Sequence, residues 1–164
     1  LSMNTLPLAE LPISPASGIR GNPLARYRTS IISAFAILFS PRTEVQPDLV
    51  AFELDQDGSV PDFTGPGRLT LAVEALSPTT ARVDQYRKRP LFQKFRVHEY
   101  WIVDVGNRPI ARWRPDDEEP EVLLDAMTWR PVGEAEPLQL DLTAYFRDLR
   151  AKMEHHAHGR TALA

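Results

Sequence analysis

Two carboxylates stand where the sequence predicts apolar strands, and their positions point to chemistry. Asp48 follows Pro47 at the start of an apolar segment, and Glu74 lies within Leu-Thr-Leu-Ala-Val-Glu-Ala-Leu. A carboxylate in such a strand is costly unless it is paired or binds a metal. If the two strands are neighbours, the carboxylates converge at one end of the sheet, where two oxygen donors suit a hard cation such as Mg²⁺ or Mn²⁺. The alternative is that each carboxylate forms a structural ion pair with an arginine.

A predicted helix after Glu74 carries a second pair of charged residues. Asp84 and Lys88 are spaced i and i+4, which is a salt-bridge spacing on one helix face. A helix that runs back across the sheet would also point Lys88 at the Glu74 carboxylate. A simply solvated lysine is the alternative interpretation.

The charge of the chain is unevenly distributed, although its formal net charge is only −3. Residues 82–96 hold six basic side chains and one acid, whereas residues 115–141 hold nine acids and one base. The first segment suits phosphates and the second repels them, with two solvated surfaces as the alternative. The net charge argues against a dedicated architectural DNA-binding protein, but not against an enzyme that meets DNA on one face.

Length and composition bound the class of protein. The chain has 164 residues, of which 43% are hydrophobic and 25% are charged, a balance typical of a single soluble globular domain. Its longest apolar stretch, near residues 31–39, is about half of what a membrane span needs, and a signal peptide is not expected either. The absence of cysteine excludes a thiolate nucleophile and a Cys-based zinc site, and it fits a cytoplasmic protein.

The elements that must position the charged residues form one α/β domain. We predict an extended or poorly ordered N-terminal segment over residues 1–24, a single domain over residues 25–153 and a flexible tail over residues 154–164. Within the domain, one helix over residues 80–96, kinked or divided at Pro90, connects two central strands.

Hydrophobic periodicity predicts the remaining elements. Residues 23–39 are ambiguous. Leu24, Tyr27, Ile31 and Phe35 have roughly helical spacing, but residues 31–39 are also rich in β-branched and aromatic residues; we favour a short helix followed by a strand that ends at Ser40. A closing helix is predicted from its apolar spacing at 142–153. The predicted strands cover residues 45–53, 69–76 and 99–105, followed by a pair of outer strands at 109–114 and 121–129.

Four motifs in order resemble the pattern of one known family. They are Gln-Pro-Asp-Leu-Val at 46–50, Val-Glu-Ala-Leu-Ser-Pro-Thr-Thr at 73–80, Asp84 with Lys88, and Val-His-Glu-Tyr-Trp-Ile-Val-Asp at 97–104. As a set they resemble the Uma family of the "Uma two" type, restriction-endonuclease-like proteins within the PD-(D/E)XK nuclease superfamily. The resemblance runs over roughly two-thirds of the chain, and its last strand is the most distinctive part.

The resemblance implies a restriction-endonuclease-like core, with a central mixed β-sheet flanked by helices, and roles for particular residues. Asp48 and Glu74 match the two acidic metal ligands, and the backbone carbonyl of Ala75 matches a further ligand. The lysine that usually follows the second acid by two residues is Leu76 here, so the usual motif is broken. The family pattern has a lysine on the following helix, and Lys88 matches it.

The implied chemistry is hydrolysis of DNA phosphodiester bonds assisted by Mg²⁺ or Mn²⁺. Lys88 would orient the attacking water or neutralise charge on the phosphate, and Asp84 would orient Lys88 or help a second metal. Relatives of this fold often pair, which predicts a homodimer. The residues expected to contact neighbouring DNA phosphates are Arg82, Arg87, Arg89 and Lys94.

Departures from the family pattern leave a second function open. Ser14-Pro15 has no histidine near it, and Leu76 replaces the usual lysine. The alternative is therefore a catalytically degenerate member that acts as a nucleic-acid- or protein-binding module. A third hypothesis is an assembly module whose basic and acidic faces pair between subunits.

Overall fold

The computed structural model describes five stretches of the chain, and the predicted N-terminal segment over residues 1–24 lies outside them. The described stretches are residues 29–33, 36–59, 69–76, 81–132 and 136–161, with the side chains of 81–86 and 155–161 excepted.

Ten strands and two helices follow one another along the described part of the chain. In chain order they are β1 (Thr29–Ser33), β2 (Ile37–Ser40), β3 (Thr43–Val45), β4 (Leu49–Glu53), β5 (Leu69–Leu76), α1 (Ala81–Lys94), β6 (Glu99–Asp104), β7 (Ile110–Trp113), β8 (Glu121–Leu123), β9 (Ala126–Trp129), β10 (Leu138–Asp141) and α2 (Leu142–Thr161).

A six-stranded mixed sheet forms the centre of the fold, which confirms the predicted α/β class. Its strand order is β1-β4-β5-β6-β7-β8. The central strands β5 and β6 are parallel and joined by α1, while β4 pairs with β5 in the antiparallel direction. A parallel pair needs such a crossover helix, and covering layers on both faces explain why β5 and β6 are apolar on both sides.

Each face of the sheet is covered by its own layer. On one face, Phe92 of α1 and Phe39 of β2 pack onto Val50, Ala72 and neighbouring buried residues; we call this the α1 face. On the other face, the β9–β10 ribbon and α2 pack onto the alternate residues of the same strands; we call this the ribbon face. Because side chains alternate along a strand, the sequence position of a residue determines which layer it meets.

Helix α1 continues through Pro90, so the predicted division at this residue is wrong, whereas the alternative, a kink, stays a prediction. It ends at a Schellman motif, in which the Arg96 N–H donates to the Gln93 carbonyl and the Val97 N–H donates to the Phe92 carbonyl. Arg96 has a φ of 57°, a left-handed conformation that glycine usually supplies at this position. This tight end directs the chain straight into β6.

Several predicted boundaries are wrong, for local reasons. Ile31 lies in strand β1, where it pairs with Ala51 of β4, so the ambiguity at this residue is resolved in favour of a strand over the apparent helical spacing. Strand β4 begins at Leu49, so Pro47 and Asp48 precede it. Residues 121–129 split at a bend into β8 and β9, and β9 leaves the main sheet to pair with β10.

Helix α2 extends to Thr161, so the predicted tail begins inside it. Among the described residues, neither helix is both long enough and apolar enough to cross a membrane.

Candidate active site

The pairing of β4 with β5 brings the two predicted carboxylates together on the α1 face. Val50 pairs with Ala72, and both belong to the α1-side cluster. Asp48 lies two residues before Val50, and Glu74 lies two residues after Ala72, so the same register places them opposite each other. Opposed residues of an antiparallel pair have Cβ atoms about 5 Å apart. The predicted convergence therefore follows from the strand register.

Asp48 lies immediately before the first residue of β4, at the end of the sheet where β5 finishes. Its Oδ2 accepts a hydrogen bond of 2.8 Å from the backbone N–H of Ala75. Pro47 is buried immediately before it, which fixes the approach of the chain to this edge. The Asp48 carboxylate consequently lies against the backbone of Ala75, whose carbonyl is the predicted third oxygen donor.

Glu74 and Lys88 form a buried ion pair between β5 and α1. The Lys88 Nζ donates to the Glu74 Oε1 at 2.7 Å, and the side chains are 22% and 5% exposed respectively. Such burial requires a compensating charge. The predicted direction of Lys88 toward Glu74 is thus confirmed, and a lysine is one partner of this carboxylate.

The donor set at this place consists of oxygen atoms. Within the described residues, no group of three or more His, Cys, Asp or Glu side chains could hold a metal ion. Two carboxylates, from Asp48 and Glu74, and the Ala75 carbonyl are the oxygens available, and oxygen ligands are what Mg²⁺ and Mn²⁺ prefer. These residues fit such an ion, although Lys88 competes with it for Glu74.

The predicted DNA-contacting residues have different surroundings. Arg87 and Lys94 are exposed on α1, whereas the Arg89 guanidinium lies 4.4 Å from the centre of the Trp113 ring. A cation over an indole face is attracted by the ring quadrupole. A contact of Arg89 with DNA would therefore compete with its contact with Trp113. The side chains of Arg82 and Asp84 lie outside the described residues.

An acidic segment lies beside the exposed side of α1. Residues 114–119, which connect β7 to β8, are tied to the helix by Gln93, whose Nε2 donates to the carbonyls of Arg114 and Asp117 at 3.1 and 2.8 Å. Arg96 also pairs with Asp116 at 2.6 Å. The basic and acidic segments predicted from the sequence are therefore adjacent at this point.

A second charged cluster, on the ribbon face, was missed in the sequence. Buried Arg112 donates from Nε and Nη2 to the Glu121 Oε2, and from Nη1 to the Thr128 carbonyl. Its Nη1 also lies 3.8 Å from the Oε2 of Glu99. The alternation of side chains along β7 could have predicted it, because Arg112 is two residues from Ile110 and therefore lies on the same buried face.

The pKa values of the two carboxyls in this cluster, Glu99 and Glu121, are shifted in opposite directions. Burial raises the pKa of Glu99, against the lowering influence of a hydrogen bond from the Trp101 Nε1 and of the nearby Arg112 charge. The hydrogen bonds from Arg112 lower the pKa of the more exposed Glu121. The cluster thus holds one carboxyl that resists ionisation and one that favours it.

Comparisons with known proteins agree with this architecture. The fold matches a crystal structure from Anabaena variabilis, described as a "putative nuclease belonging to DUF820", with a TM-score of 0.56 and 20% sequence identity, covering 74% of this chain and 70% of that one. At such identity the likeness establishes the fold alone. No curated protein matches the chain. The family model "Uma2: Putative restriction endonuclease" matches residues 22–154, which is most of the chain. The protein therefore belongs to the Uma2 family of restriction-endonuclease-like proteins.

Proposed function

We propose that this protein is a divalent-metal-dependent nuclease that hydrolyses phosphodiester bonds in DNA. The observation that supports this most is the placement of Asp48 opposite Glu74 by the β4–β5 register, together with the ion pair between Glu74 of β5 and Lys88 of α1. Membership of the Uma2 family supports the reaction class. The metal, the DNA substrate and the roles of the residues belong to the proposal.

In the proposed mechanism, Asp48, Glu74 and the Ala75 carbonyl would hold Mg²⁺ or Mn²⁺. The ion would supply Lewis-acid polarisation of a phosphoryl oxygen and lower the pKa of a water molecule. Asp48 keeps its hydrogen bond to the Ala75 N–H, which holds its carboxylate in place. Lys88 would orient the water or neutralise charge on the phosphate. It lies on α1 and would replace the strand lysine of the usual motif, whose position is occupied by Leu76.

The closed Glu74–Lys88 pair favours a second candidate, the catalytically degenerate binding module. An ammonium already 2.7 Å from the carboxylate neutralises Glu74 without any metal. In that case the α1 face serves only to bind nucleic acid or protein. The same experiment separates the two candidates.

The test is a cleavage assay with conservative variants. Asp48→Asn and Glu74→Gln keep side-chain size and an acceptor oxygen, and the Asn amide oxygen can still accept the Ala75 N–H. Supercoiled plasmid, linear duplex and single-stranded DNA are incubated with Mg²⁺, Mn²⁺ or EDTA. We expect cleavage that requires the metal and falls about a hundredfold or more in either variant. Calorimetric titration with Mn²⁺ should show weakened binding in the same variants.

Two matched controls accompany this assay. Asp141→Asn changes a carboxylate that accepts the Ala144 N–H at 2.8 Å, and asparagine caps a helix equally well. Glu121→Gln changes a cation-paired carboxylate on the opposite face. Both should cleave at the wild-type rate. Cleavage in EDTA, or undiminished cleavage in both site variants, would contradict the metal mechanism. A folded wild type that neither cleaves nor binds Mn²⁺ would favour the binding module.

The proposal includes two further properties expected from the sequence, a cytoplasmic location and a homodimer. The cysteine-free composition supports the first, and the prevalence of two-fold symmetric pairs supports the second. Light scattering after size-exclusion chromatography measures the dimer directly, and a monomeric mass at assay concentration would exclude it.

A further inference from the structure

A small cavity opens on the ribbon face, away from the candidate active site. Its volume is about 170 Å³. Glu99, at the start of β6, pairs with Leu71 of β5, three residues before Glu74 and on the opposite face of the sheet. The cavity and the Asp48–Glu74 site are thus separated by the sheet itself. The residues that line the cavity are Thr70, His98, Glu99, Arg114, Trp129, Arg130 and Val132.

The charged groups in the cavity wall favour an anion. Arg114 and Arg130 contribute two guanidinium groups, and His98 contributes an imidazole. Among the described residues of the wall, Glu99 is the one that carries a carboxyl. Arg114 already donates from Nη1 to Glu121 at 3.1 Å. A guanidinium has five N–H donors, so an arginine with one carboxylate partner can still bind a second set of oxygens.

Glu99 opposes an anion less than an ordinary carboxylate would. Its Oε2 accepts a 2.7 Å hydrogen bond from the Trp101 Nε1 and lies 3.8 Å from Arg112, so the negative charge is directed into the protein. Burial raises its pKa, which makes its neutral form more accessible. Arg112 behind the wall adds a further positive charge, balanced in part by Glu121.

The size and walls of the cavity limit the ligand. A volume of about 170 Å³ holds five or six water molecules at about 30 Å³ each, well below the range of about 300–1,000 Å³ typical of sites for larger organic ligands. Trp129 is only 1% exposed, so it offers no face for stacking a base. The space suits a tetrahedral oxyanion rather than a whole nucleotide.

We infer that this cavity binds a phosphate group, held by the guanidinium groups of Arg114 and Arg130 with His98 in the same wall. The phosphate can be free inorganic phosphate or the terminal phosphate of a nucleic-acid strand. The inference is independent of the proposed nuclease activity, since none of the cavity residues belongs to the Asp48–Glu74 site.

The test is calorimetric titration of the full chain with inorganic phosphate, and separately with a short oligonucleotide with or without a 5′-phosphate. We expect the Arg114→Gln/Arg130→Gln variant to bind phosphate about tenfold more weakly or worse than wild type. The matched control is Arg147→Gln/Arg150→Gln, which removes the same charge from α2 outside the cavity wall. Asp48→Asn should bind phosphate as wild type does, which separates this site from the nuclease proposal.

The oligonucleotide arms identify the source of the phosphate. Binding that requires the 5′-phosphate and is displaced by inorganic phosphate assigns the cavity to strand ends, whereas binding of inorganic phosphate alone assigns it to the free ion. Arg130→Gln alone serves if the double variant does not fold, because Arg130 lies outside every helix and strand. Equal phosphate affinity in wild type and Arg130→Gln, or an equal loss in the α2 control, would overturn the inference.

Discussion

Lys88 is the residue on which the stability and the proposed chemistry both depend. Its ammonium offsets the charge of Glu74, which is only 4% exposed as a residue. Holding these two charges together costs stability, because Glu74 is buried and Lys88 is mostly withdrawn from water. Measurements of stability test the structural role of the Glu74–Lys88 pair, and measurements of cleavage test its catalytic role.

Replacing Lys88 should destabilise the fold through the carboxylate it leaves behind. We expect Lys88→Met to lower the free energy of unfolding by about 3 kcal/mol, the lower end for breaking a buried pair, since Lys88 retains some exposure. The double variant Glu74→Gln/Lys88→Met should regain part of the loss, because the buried carboxylate is removed together with the ammonium that offsets it. Urea unfolding measures both, with exposed Lys94→Met as the control. Equal stability of Lys88→Met and wild type would show that solvent already screens Glu74.

At the scale of elements, the contact between α1 and the β7–β8 connection determines what the basic helix presents to solvent. Gln93 binds two carbonyls of the connection, and Arg89 is held over Trp113 on the adjoining strand. Residues 116–119 are all acidic, and two further contacts hold this stretch beside the helix: Arg96 pairs with Asp116, and the Arg89 Nη1 donates to the Glu118 carbonyl. A nucleic-acid phosphate approaching this helix would meet both signs of charge.

Neutralising the acidic connection should strengthen nucleic-acid binding. We expect the triple variant Asp116→Asn/Glu118→Gln/Glu119→Gln to bind duplex DNA several-fold more tightly at low salt, with the gain shrinking as salt rises. Fluorescence anisotropy in EDTA measures binding without cleavage.

The matched control removes three exposed acids elsewhere, Glu136, Asp148 and Glu154. It changes the net charge by the same amount, so an equal gain in this variant would show a general charge effect. No gain in the first variant would show that α1 does not face DNA.

At the scale of the whole molecule, the sheet separates two sets of ionisable groups. The α1 face holds Asp48, Glu74 and Lys88, and the ribbon face holds Arg112 with its two carboxyls. Each set is attached to a different hydrophobic layer. A change of pH alters the free energy of unfolding through groups such as Glu99, whose carboxyl is buried on the ribbon face.

Glu99 should make stability fall as pH rises. Its pKa in the folded protein is raised above the usual 4.5, so between these two values the folded state holds more protons than the unfolded chain. The destabilisation begins near the usual pKa and is complete above the raised one. Relative to Glu99→Gln, the free energy of unfolding of the wild type should therefore decrease as pH increases through this window. Urea unfolding from about pH 3 to about pH 8 measures the difference.

Glu121 provides the opposite control. Its lowered pKa adds stability above the usual 4.5, and this stability is lost as pH falls through the lowered value. Relative to Glu121→Gln, the wild type should therefore become more stable as pH rises. If both variants gave the same sign of pH dependence, the assignment of the two carboxyls would be wrong.

The sequence by itself determined the central elements and the α1-face residues. Strands β5 and β6 are continuous apolar segments, and a carboxylate within such a segment had to find a partner, which identified Glu74. The Gln-Pro-Asp-Leu-Val motif identified Asp48, and the helix predicted after Glu74 identified Lys88. Both are patterns of residues that are close in sequence, so they can be recognised without the tertiary structure. The family resemblance rested on the same residues and is confirmed by the family match.

Only the tertiary structure decided which charges meet away from the Asp48–Glu74 site. Local patterns do not specify strand order, so the displacement of β9 from the main sheet could not be read from residues 121–129. The same holds for the acidic connection beside α1 and for Arg112 with Glu99, which lie 13 positions apart in the numbering of the chain. Such contacts depend on which surfaces pack in three dimensions, and hydrophobic periodicity constrains the face of each element but not its neighbour.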